Sequence, residues 1–468
     1  MEKIIVPGLI EIYCEYLDIV DITNIVEIDP FLKKYVYNNI KKDDMWICDY
    51  NYGCQINKTF KNLKLRFKFF KIDKNVDLQI LDSLIELDLS CNNNKKTINL
   101  LSAKNLTSLN LSNNQIIKNN HIKNMENLLC LNLFRNYIIT NEGLRNLVNL
   151  TSLDLSRNKS ITNAGIEKLT NLKILNLYLN EKITDDGLNK LINLESLNLS
   201  QNDKITNVGI KNLINLKILD LQRNNLITDD GLLNLKNLNV LTIIGGNIII
   251  DDKRIYNNLT YLNLSSNCFQ SFEKKELEKL KNLTSFEIND YRDFDKDFLR
   301  NFKNLTSLSV TVETITDEYL LNLINLTSLE LVSTTKITDN GLVGLPNLKN
   351  LKLSDNETIT DNGLVNLKNL RDLSFYDCEK ITDDGLAKLS NIISLNLMQD
   401  SNITNIGIKN LINLKKLNLR SNFKITDKGI CNLELQTLFI DSYNVLTNET
   451  MFNLIKKGTF IDYDDYHW

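Results

Sequence analysis

The sequence predicts an α/β solenoid, in which short parallel strands alternate with short helices along a repeating unit of constant length. Two observations carry this expectation. The chain repeats the pattern Leu-x-x-Leu-x-Leu-x-x-Asn, as at Leu150 to Asn158. A fixed period of about 22 residues indicates units that stack on one another. A glycine also recurs at this one interval, at Gly143, Gly165, Gly187, Gly209 and Gly231, and again at Gly341, Gly363, Gly385, Gly407 and Gly429.

The alternation within the pattern predicts a short strand. Because strand side chains point alternately to two faces, Leu153 and Leu155 are expected to face a core. Ser152, Asp154 and Ser156 are expected to face an open polar surface. One unit cannot bury its own apolar face, so neighbouring units must bury it by stacking. The pattern is that of leucine-rich repeats, which predicts a horseshoe with parallel strands on the concave face and short helices on the convex face.

The asparagine that closes the pattern is expected to turn inward and to hydrogen-bond backbone groups where the strand bends into a loop. A buried polar group left unpaired costs roughly 1–3 kcal/mol, so each amide should be fully hydrogen-bonded. Asn202 is therefore expected to be buried, whereas Ser200 should face solvent. Cys378 takes the slot in one repeat. The equivalent asparagines are Asn92, Asn114, Asn136, Asn158, Asn180, Asn202, Asn224, Asn267, Asn356 and Asn422.

The phrase Ile-Thr-Asp-Asp-Gly-Leu, as at Ile227 to Leu232, predicts the start of a short helix. Thr228 or Asp229 suits the N-cap position, and an acidic first turn suits the helix dipole. About two helical turns fit before the next strand begins. The glycine is expected to allow close packing between neighbouring helices. Paired aspartates such as Asp383 and Asp384 are interpreted as helix-capping residues and not as metal ligands.

Residues 1–50 do not carry the repeat, and their apolar residues recur at helical spacing. They predict three short helices, the third beginning at Asp29-Pro30, a favoured position for proline. The helical segment should end near Met45-Trp46. Because a solenoid needs covered ends, the simplest interpretation of these helices is a cap on the first repeat.

The same segment resembles an F-box. The resemblance lies in Val6-Pro7-Gly8-Leu9-Ile10-Glu11-Ile12, in Tyr16-Leu17-Asp18-Ile19-Val20-Asp21-Ile22, and in the later Phe31-Leu32 and Trp46. Val6 replaces the usual leucine, and Ile28-Asp29-Pro30 stands where the family usually has Val-Cys-Lys. The Ile-Thr-Asp-Asp-Gly-Leu phrase also resembles repeats of the F-box/leucine-rich-repeat family.

The resemblance implies that the F-box docks on a Skp-type adaptor of a cullin ubiquitin ligase, while the repeats hold a protein substrate. It assigns adaptor binding to Pro7, Leu9, Ile12 and Leu17. The chain is then expected to be a non-enzymatic substrate-recognition subunit. The alternative is an intracellular leucine-rich-repeat scaffold whose N-terminal helices act only as a cap.

Four segments follow from these patterns. Residues 1–50 form the F-box-like helical unit, and residues 51–80 form a transition with an N-terminal edge strand at Leu63 to Phe69, whose lysines would guard the edge. Residues 81–445 form the solenoid, with irregular repeats between Gly245 and Tyr319. Residues 446–468 form a C-terminal capping helix and a tail.

Composition excludes several classes of function. The formal charge is −3 with 24% charged residues, so no nucleic-acid or membrane partner is expected. The eight cysteines form no Cys-x-x-Cys pair, which indicates reduced thiols in a cytoplasmic or nuclear protein. No signal-peptide layout and no apolar run long enough for a membrane helix are present. We expect no cofactor and no metal.

The sequence predicts binding and no catalysis. The two histidines, His121 and His467, have no nucleophile at motif spacing. Solenoids bind partners on their extended strand surfaces, where most outward residues here are Ser, Asn and Asp. Aromatic residues and arginine dominate binding hot spots, so departures from that background are the candidate substrate-binding residues. They are Phe134, Arg135, Arg157, Tyr178, Arg223, Tyr376, Met398 and Arg420.

Overall fold

The computed structural model describes residues 46–47, 65–68, 84–91, 100, 103–245, 258–265, 280–289, 299, 302–311, 313, 315–399 and 402–464. The three expected N-terminal helices lie outside these residues, as do Pro7, Leu9, Ile12 and Leu17. Asn92, Asn267 and His467 also lie outside them. The chain divides into two compact units, Met1–Leu238 and Asn239–Trp468, which are described separately.

The first unit is a stack of parallel strands paired in chain order. Along most of the stack the strands follow one another at one constant interval, so that Ser152 lies opposite Ile174 and Ile174 opposite Ser196. The strands are β1 (Trp46–Ile47), β2 (Leu65–Lys68), β3 (Leu84–Asp88), β4 (Ser108–Asn110), β5 (Cys130–Asn132), β6 (Ser152–Asp154), β7 (Ile174–Asn176), β8 (Ser196–Asn198) and β9 (Ile218–Asp220).

One prediction about this unit is wrong. The alternating segment at Leu63 to Phe69 was expected to be an edge strand, but β2 pairs with β1 on one side and with β3 on the other. It is therefore an inner strand. The sequence around Trp46 and Ile47 carries no alternation that would have indicated β1.

Single-turn helices follow the strands of the first unit. They are shorter than the two turns that the sequence suggested, because each spans four residues. Threonine is the N-cap from the second helix onward, in extended backbone; of the two candidates Thr228 and Asp229, the structure shows Thr228 at this position. The helices are α1 (Asn119–Ile122), α2 (Asn141–Leu144), α3 (Asn163–Ile166), α4 (Asp185–Leu188), α5 (Asn207–Ile210) and α6 (Asp229–Leu232).

The second unit repeats the arrangement. Its strands also pair in parallel and in chain order. The strands are β10 (Val240–Ile243), β11 (Tyr261–Ser265), β12 (Ser285–Asn289), β13 (Ser307–Val310), β14 (Ser328–Val332), β15 (Asn350–Ser354), β16 (Asp372–Tyr376), β17 (Ser394–Asn396), β18 (Lys416–Asn418), β19 (Thr437–Asp441) and β20 (Phe460–Asp464).

In the described part of the second unit, a 3-10 turn at Asp317–Tyr319 stands at the position of a helix, and α-helices follow it. They are α7 (Asp339–Val343), α8 (Asp361–Leu364), α9 (Asp383–Leu386), α10 (Asn405–Ile408), α11 (Asp427–Ile430) and α12 (Asn448–Lys456). The last is the capping helix that the sequence suggested, and it buries Leu454. Strand β20 was not expected, because its residues fall in the segment interpreted as a tail.

The irregular repeats keep the strand register. Val240 lies opposite Tyr261, and Tyr261 lies opposite Ser285. The unequal intervals between these partners are absorbed outside the strands, so the parallel ladder from β10 to β13 is unbroken.

The inward leucines and asparagines are confirmed. Leu150, Leu153 and Leu155 are at most 1% exposed. Asn158 is fully buried: its Nδ2 donates to the carbonyls of Leu133 (3.2 Å) and Asn136 (2.6 Å). Its Oδ1 accepts the backbone N–H groups of residues 160 and 161. The same slot is buried at Asn114, Asn136, Asn180, Asn202, Asn224, Asn356, Cys378 and Asn422, and also at Thr334, which the sequence did not indicate.

The expectation for two serines is wrong. Ser156 and Ser200 were placed on an open surface, yet they are only 3% and 5% exposed. The Ser200 hydroxyl donates to Asn198 Oδ1 at 2.6 Å, and the Ser156 hydroxyl donates to Asp154. These serines sit where the chain turns away from the strand, so the turn covers them.

The recurring glycine makes room for a polar contact between consecutive helices. Asn163 Oδ1 accepts the N–H of Thr184 at 3.0 Å, and its Nδ2 donates to the Thr184 hydroxyl at 2.8 Å. A Cβ on Gly187 would lie 2.6 Å from that Oδ1. The close packing of helices at the glycine is thus confirmed, and an Asn or Asp side chain mediates it.

The aspartates of the Ile-Thr-Asp-Asp-Gly-Leu motif also hydrogen-bond the threonine of the next repeat. Asp383 accepts both the N–H (2.8 Å) and the hydroxyl (2.5 Å) of Thr404, in the next repeat. Its carboxylate therefore links two repeats, which corrects the interpretation that it caps its own helix. Across the described part of the chain, no group of three or more His, Cys, Asp or Glu side chains is placed to hold a metal ion.

Candidate protein-binding surface

Each unit has a strand face, formed by the positions equivalent to Ser152 and Asp154, with the turn position equivalent to Ser156 at its rim. The middle position of this face is structural in the first unit. Asp154 Oδ1 accepts the N–H of Ser156 at 2.8 Å, closing a turn of the kind that Asp and Asn side chains favour. The same bond recurs at Asp88, Asn110, Asn132, Asn176, Asn198 and Asp220. These side chains are committed to the end of the strand.

The residue after this turn has a left-handed backbone. Arg135, Arg157 and Arg223 adopt φ values of 50°, 52° and 53°, and Gln201 occupies the equivalent position with φ 51°. Such values are uncommon for residues other than glycine. The repeated turn holds them, so each repeat presents one side chain at the rim of the strand face.

Four predicted residues meet at this rim and form the arginine–aromatic cluster: Phe134, Arg135, Arg157 and Tyr178. The guanidinium carbon of Arg135 lies 5.1 Å from the centre of the Phe134 ring. That of Arg157 lies 5.3 Å from the Tyr178 ring, and Arg157 Nη2 donates to the Tyr178 hydroxyl at 3.1 Å. Stacking of a guanidinium on an aromatic face is favourable by about 0.5–2 kcal/mol.

Consecutive strands bring this cluster together. The N–H of Arg135 donates to the carbonyl of Ser156, and the N–H of Arg157 donates to the carbonyl of Tyr178. Arg223 is not part of it, because the repeats of Leu179 and Gln201 lie between Arg157 and Arg223.

The second predicted group, Tyr376, Met398 and Arg420, also lies on consecutive repeats. Tyr376 is 41% and Met398 37% exposed. Arg420 is half-buried; its Nη2 lies 3.3 Å from Asp462 Oδ2, and its guanidinium carbon lies 5.5 Å from the Phe439 ring. Arg420 therefore ties the repeat to β20, and its charge is paired within the unit.

Two features of the strand face were not predicted from the sequence. Ile174 and Ile218 are 50% and 44% exposed and flank Ser196 in the register. Beside them Glu195 accepts from Lys217 (2.5 Å) and pairs with Lys173 (3.2 Å). Hydrogen bonds from Lys217 and then Lys173 hold the pKa of Glu195 below its usual range. The sequence could have indicated this exposed apolar surface, because isoleucine stands at a position that is usually serine.

The second unit has a polar groove of about 520 Å³. Its asparagines donate their amide N–H groups to the preceding repeat, as Asn325 does to the Lys303 carbonyl at 2.9 Å. Its threonine hydroxyls do likewise, as Thr327 does to the Thr306 carbonyl. Its lining residues are Asn304, Thr306, Asn325, Thr327, Asn347, Lys349 and Asn369.

His121 has a structural use. Its Nδ1 accepts the N–H of Lys118 at 3.0 Å, at the start of α1. Partial burial, and then the nearby charge of Lys118, lower its pKa. None of the helices that the structure describes is both long enough and apolar enough to cross a bilayer.

Comparison with known proteins identifies the repeat. The family model described as "Leucine Rich repeat" matches residues 102–120, 146–170, 168–192, 190–214, 212–236, 257–271, 344–368 and 410–430. No sequence among the curated proteins matches the chain.

Two solved structures are similar to the chain. One is an internalin from Listeria monocytogenes, 24% identical, with 64% of this chain and 82% of that chain covered and a TM-score of 0.39. The other is the Rad7 and Elc1 complex in yeast, 19% identical, with 75% and 85% covered and a TM-score of 0.42. The matched motifs, the parallel strands and the inward asparagines agree with one another: the repeats of this chain are leucine-rich repeats, and they form a solenoid.

Proposed function

We propose that this chain is the non-enzymatic substrate-recognition subunit of a Skp–cullin–F-box ubiquitin ligase. The strand face would hold a protein substrate, and residues 1–50 would dock on a Skp-type adaptor. Leucine-rich repeats are protein-interaction modules. The observation that supports substrate binding most directly is the arginine–aromatic cluster, because stacked arginines and aromatic rings are the side chains that dominate protein interfaces.

The polar ladders support the choice of the strand face over the helix side. On the helix side, Asn163, Asp383 and their equivalents already form hydrogen bonds with the threonine of the next repeat. At the rim of the strand face, Arg135 is exposed and Arg157 is half-buried. Side chains that are ordered but not committed to the fold are the ones available to a partner.

The adaptor role is supported by the F-box resemblance of residues 1–50. A scaffold whose N-terminal helices only cap the array is the alternative, and one observation favours it. Strand β1 at Trp46–Ile47 is the outermost described strand of its stack and pairs with β2. Residues 1–45 directly precede β1 in the sequence, and the end of a stack is where a solenoid needs a cap.

Adaptor capture tests the proposal. In the full chain, Leu9→Asp with Ile12→Asp should abolish capture of a purified Skp-type adaptor, because an unpaired carboxylate buried in an apolar contact is very costly. A matched control is Ile192→Asp with Ile214→Asp, which adds the same charge at residues that are 51% and 54% exposed. The control should capture the adaptor like the wild type.

Point variants are sharper than deletion of residues 1–50, which would also remove β1. The circular dichroism spectrum and melting curve of the Leu9/Ile12 double variant should stay close to wild type, since the repeats are stabilised by neighbour contacts. If the wild type captures no adaptor and the double variant melts the array, the segment is a cap and the ligase proposal fails.

A further inference from the structure

We infer that the arginine–aromatic cluster binds an extended acidic segment of the partner protein, with Arg135 and Arg157 each receiving a carboxylate. This inference rests on the proposed function, since it names the chemistry of the partner held on the strand face. Three observations carry it: the missing counter-charge, the fixed geometry of the two guanidinium groups, and the surface around them.

The cluster has no counter-charge among the described residues. Several other cations of the strand faces are paired within their own unit: Lys173 and Lys217 with Glu195, Lys352 with Glu330, and Arg420 with Asp462. Within the described residues, neither Arg135 nor Arg157 lies within ion-pair distance of a carboxylate. The cluster is therefore a cationic site with no carboxylate partner among the described residues, and the carboxylates of a bound segment would supply its counter-charge.

The geometry suits carboxylates. Arg135 and Arg157 follow adjacent strands, which lie about 4.8 Å apart in such sheets. Each guanidinium is held against a ring, and Arg157 is fixed further by its bond to the Tyr178 hydroxyl, with its Nε buried and unbonded. A planar guanidinium binds a carboxylate through two parallel hydrogen bonds. Because stacking already limits the rotamers, little side-chain entropy remains to be lost on binding.

The surroundings favour a peptide over a nucleic acid. Leu129, next to β5, is 40% exposed, and Phe134 at the end of that strand is half-buried. They offer apolar contact to a segment that mixes apolar and acidic residues. Asp154 lies on the strand that precedes Arg157. A peptide can place an uncharged residue opposite Asp154, whereas a phosphate backbone carries a negative charge at every step. Recognition of acidic motifs by arginine clusters is an established mode of peptide binding.

The repeat itself supplies variants that should fold. Arg135→Gln and Arg157→Gln place glutamine where Gln201 and Gln399 already adopt φ values of 51° and 60°. Tyr178→Ser places serine where Ser156 and Ser200 stand. The matched control is Arg223→Gln, which removes the same charge from the same position beyond the cluster. All four variants should fold and melt cooperatively, and the loss of the arginine–ring contacts should lower the melting midpoint by no more than a few degrees.

The probe is a library of random peptides of about twelve residues, selected on the full-length chain. The wild type should enrich peptides rich in Asp and Glu. The strongest selected peptide should bind the Arg135→Gln/Arg157→Gln double variant at least about tenfold more weakly in fluorescence anisotropy, a typical loss for arginine hot spots. Tyr178→Ser should weaken binding in the same direction. Arg223→Gln should bind like the wild type.

Three results would overturn the inference. The first is a wild-type selection without enrichment of Asp and Glu. The second is an equal loss in Arg223→Gln, which would mean an unspecific charge effect. The third is tighter binding of a labelled single-stranded RNA of about twelve nucleotides through the same two arginines. If one of these occurs while adaptor capture through residues 1–50 is intact, the acidic-segment inference fails and the ligase proposal stands.

Discussion

Asparagine does three separate tasks within each repeat. Asn158 turns inward and bridges the backbones of neighbouring repeats. Asn163 joins one helix to the threonine of the next. Asn171 donates to the Val148 carbonyl at the far end of the unit. The amide suits these tasks because it carries donors and an acceptor together. Asn158 accepts from its own repeat and donates to the previous one, whereas Asn163 accepts from and donates to the same threonine of the next repeat.

The inward asparagine gives a residue-scale prediction. Asn202→Ala should destabilise the chain by about 1–3 kcal/mol more than Ser200→Ala. Asn202 donates to two carbonyls and accepts from two N–H groups, all buried or partly buried, whereas the Ser200 hydroxyl has one bond, to Asn198. Denaturant midpoints at equal slope measure the difference.

Ser200→Ala should itself have a measurable cost, because Ser200 is buried and not exposed. Equal midpoints for the two variants would show that the inward asparagines do not stabilise the array in the way their hydrogen bonds indicate.

The roles of single residues could be predicted from the sequence where the repeated backbone conformation determines which groups need hydrogen bonds. The inward slot at Asn158 was predictable, because a bend in the strand always leaves backbone groups to satisfy. The burial of Ser156 and Ser200 was not, since it depends on the turn that follows the strand. The sequence indicated Arg157 and Tyr178 as separate candidates. Their stacking depends on the rotamers of both side chains and on the register between two repeats, and the sequence of one repeat does not determine these.

At the scale of the element, the short helices are held by their neighbours and not by their own length. A helix of one turn is unstable alone. Here each of the glycine-containing helices α2 to α11 is fixed by an Asn or Asp side chain from the repeat before it, which lies over the glycine. The glycine recurs along the chain because a larger residue would collide with that side chain.

Gly187→Ala should therefore destabilise, against the usual trend. Alanine in place of glycine normally stabilises a helix by about 1 kcal/mol. At Gly187 the new Cβ would meet Asn163 Oδ1 at 2.6 Å and Ile183 Cγ2 at 2.9 Å. We expect a loss of about 1–3 kcal/mol from overpacking, read from thermal or denaturant unfolding.

Gly344→Ala is the matched control. Its Cβ would find no neighbour closer than 3.8 Å, and its φ of −78° is open to alanine. This change should be neutral, or stabilising by about 0.4–1 kcal/mol. Equal effects at Gly187 and Gly344 would remove the steric explanation for the periodic glycine.

The strands at the two ends of the chain, β2 and β20, were not predicted correctly from the sequence. The regular strands were located correctly by their leucines. β2 was taken for an edge because its partner β1 spans only Trp46–Ile47 and has no repeat pattern. β20 was taken for a tail, since its acidic residues hide the alternation at Phe460–Asp464. Pairing supplies the stability of such strands, and pairing cannot be read from the strand alone.

At the scale of the molecule, every ladder joins a repeat to the next one in the chain. The bonds of Asn158, Asn163 and Asn171 each connect a repeat to its sequence neighbour. Stability is then a sum over neighbours, and an end of a stack has neighbours on one side only. Among the described strands of the second unit, β20 pairs only with β19, so this C-terminal end should open before the middle of the unit.

Acid should open that end first, through Asp427. Its carboxylate accepts the N–H of Thr447, the N-cap of α12, at 3.0 Å. Burial acts to raise the pKa of Asp427, but hydrogen bonds from Thr447 and Thr450 outweigh it, and the pKa lies below its usual range. A lowered pKa means that this stabilisation is complete above the unfolded value of about 3.9 and is lost as the pH falls through the folded value.

Hydrogen exchange measures this prediction. Between about pH 6 and about pH 3, the protection of α12 amides, corrected for intrinsic rates, should fall more than that of β16. Asp427→Asn is the control, because Asn405 in the neighbouring helix already accepts the N–H of Thr426 in the same way, at 2.9 Å. In the Asp427→Asn variant, the hydrogen-exchange protection of the α12 amides should not depend on pH over this range. An equal acid response in the variant would place the acid-sensitive contact elsewhere, since an amide cannot titrate there and only the carboxylate of residue 427 differs between the two proteins.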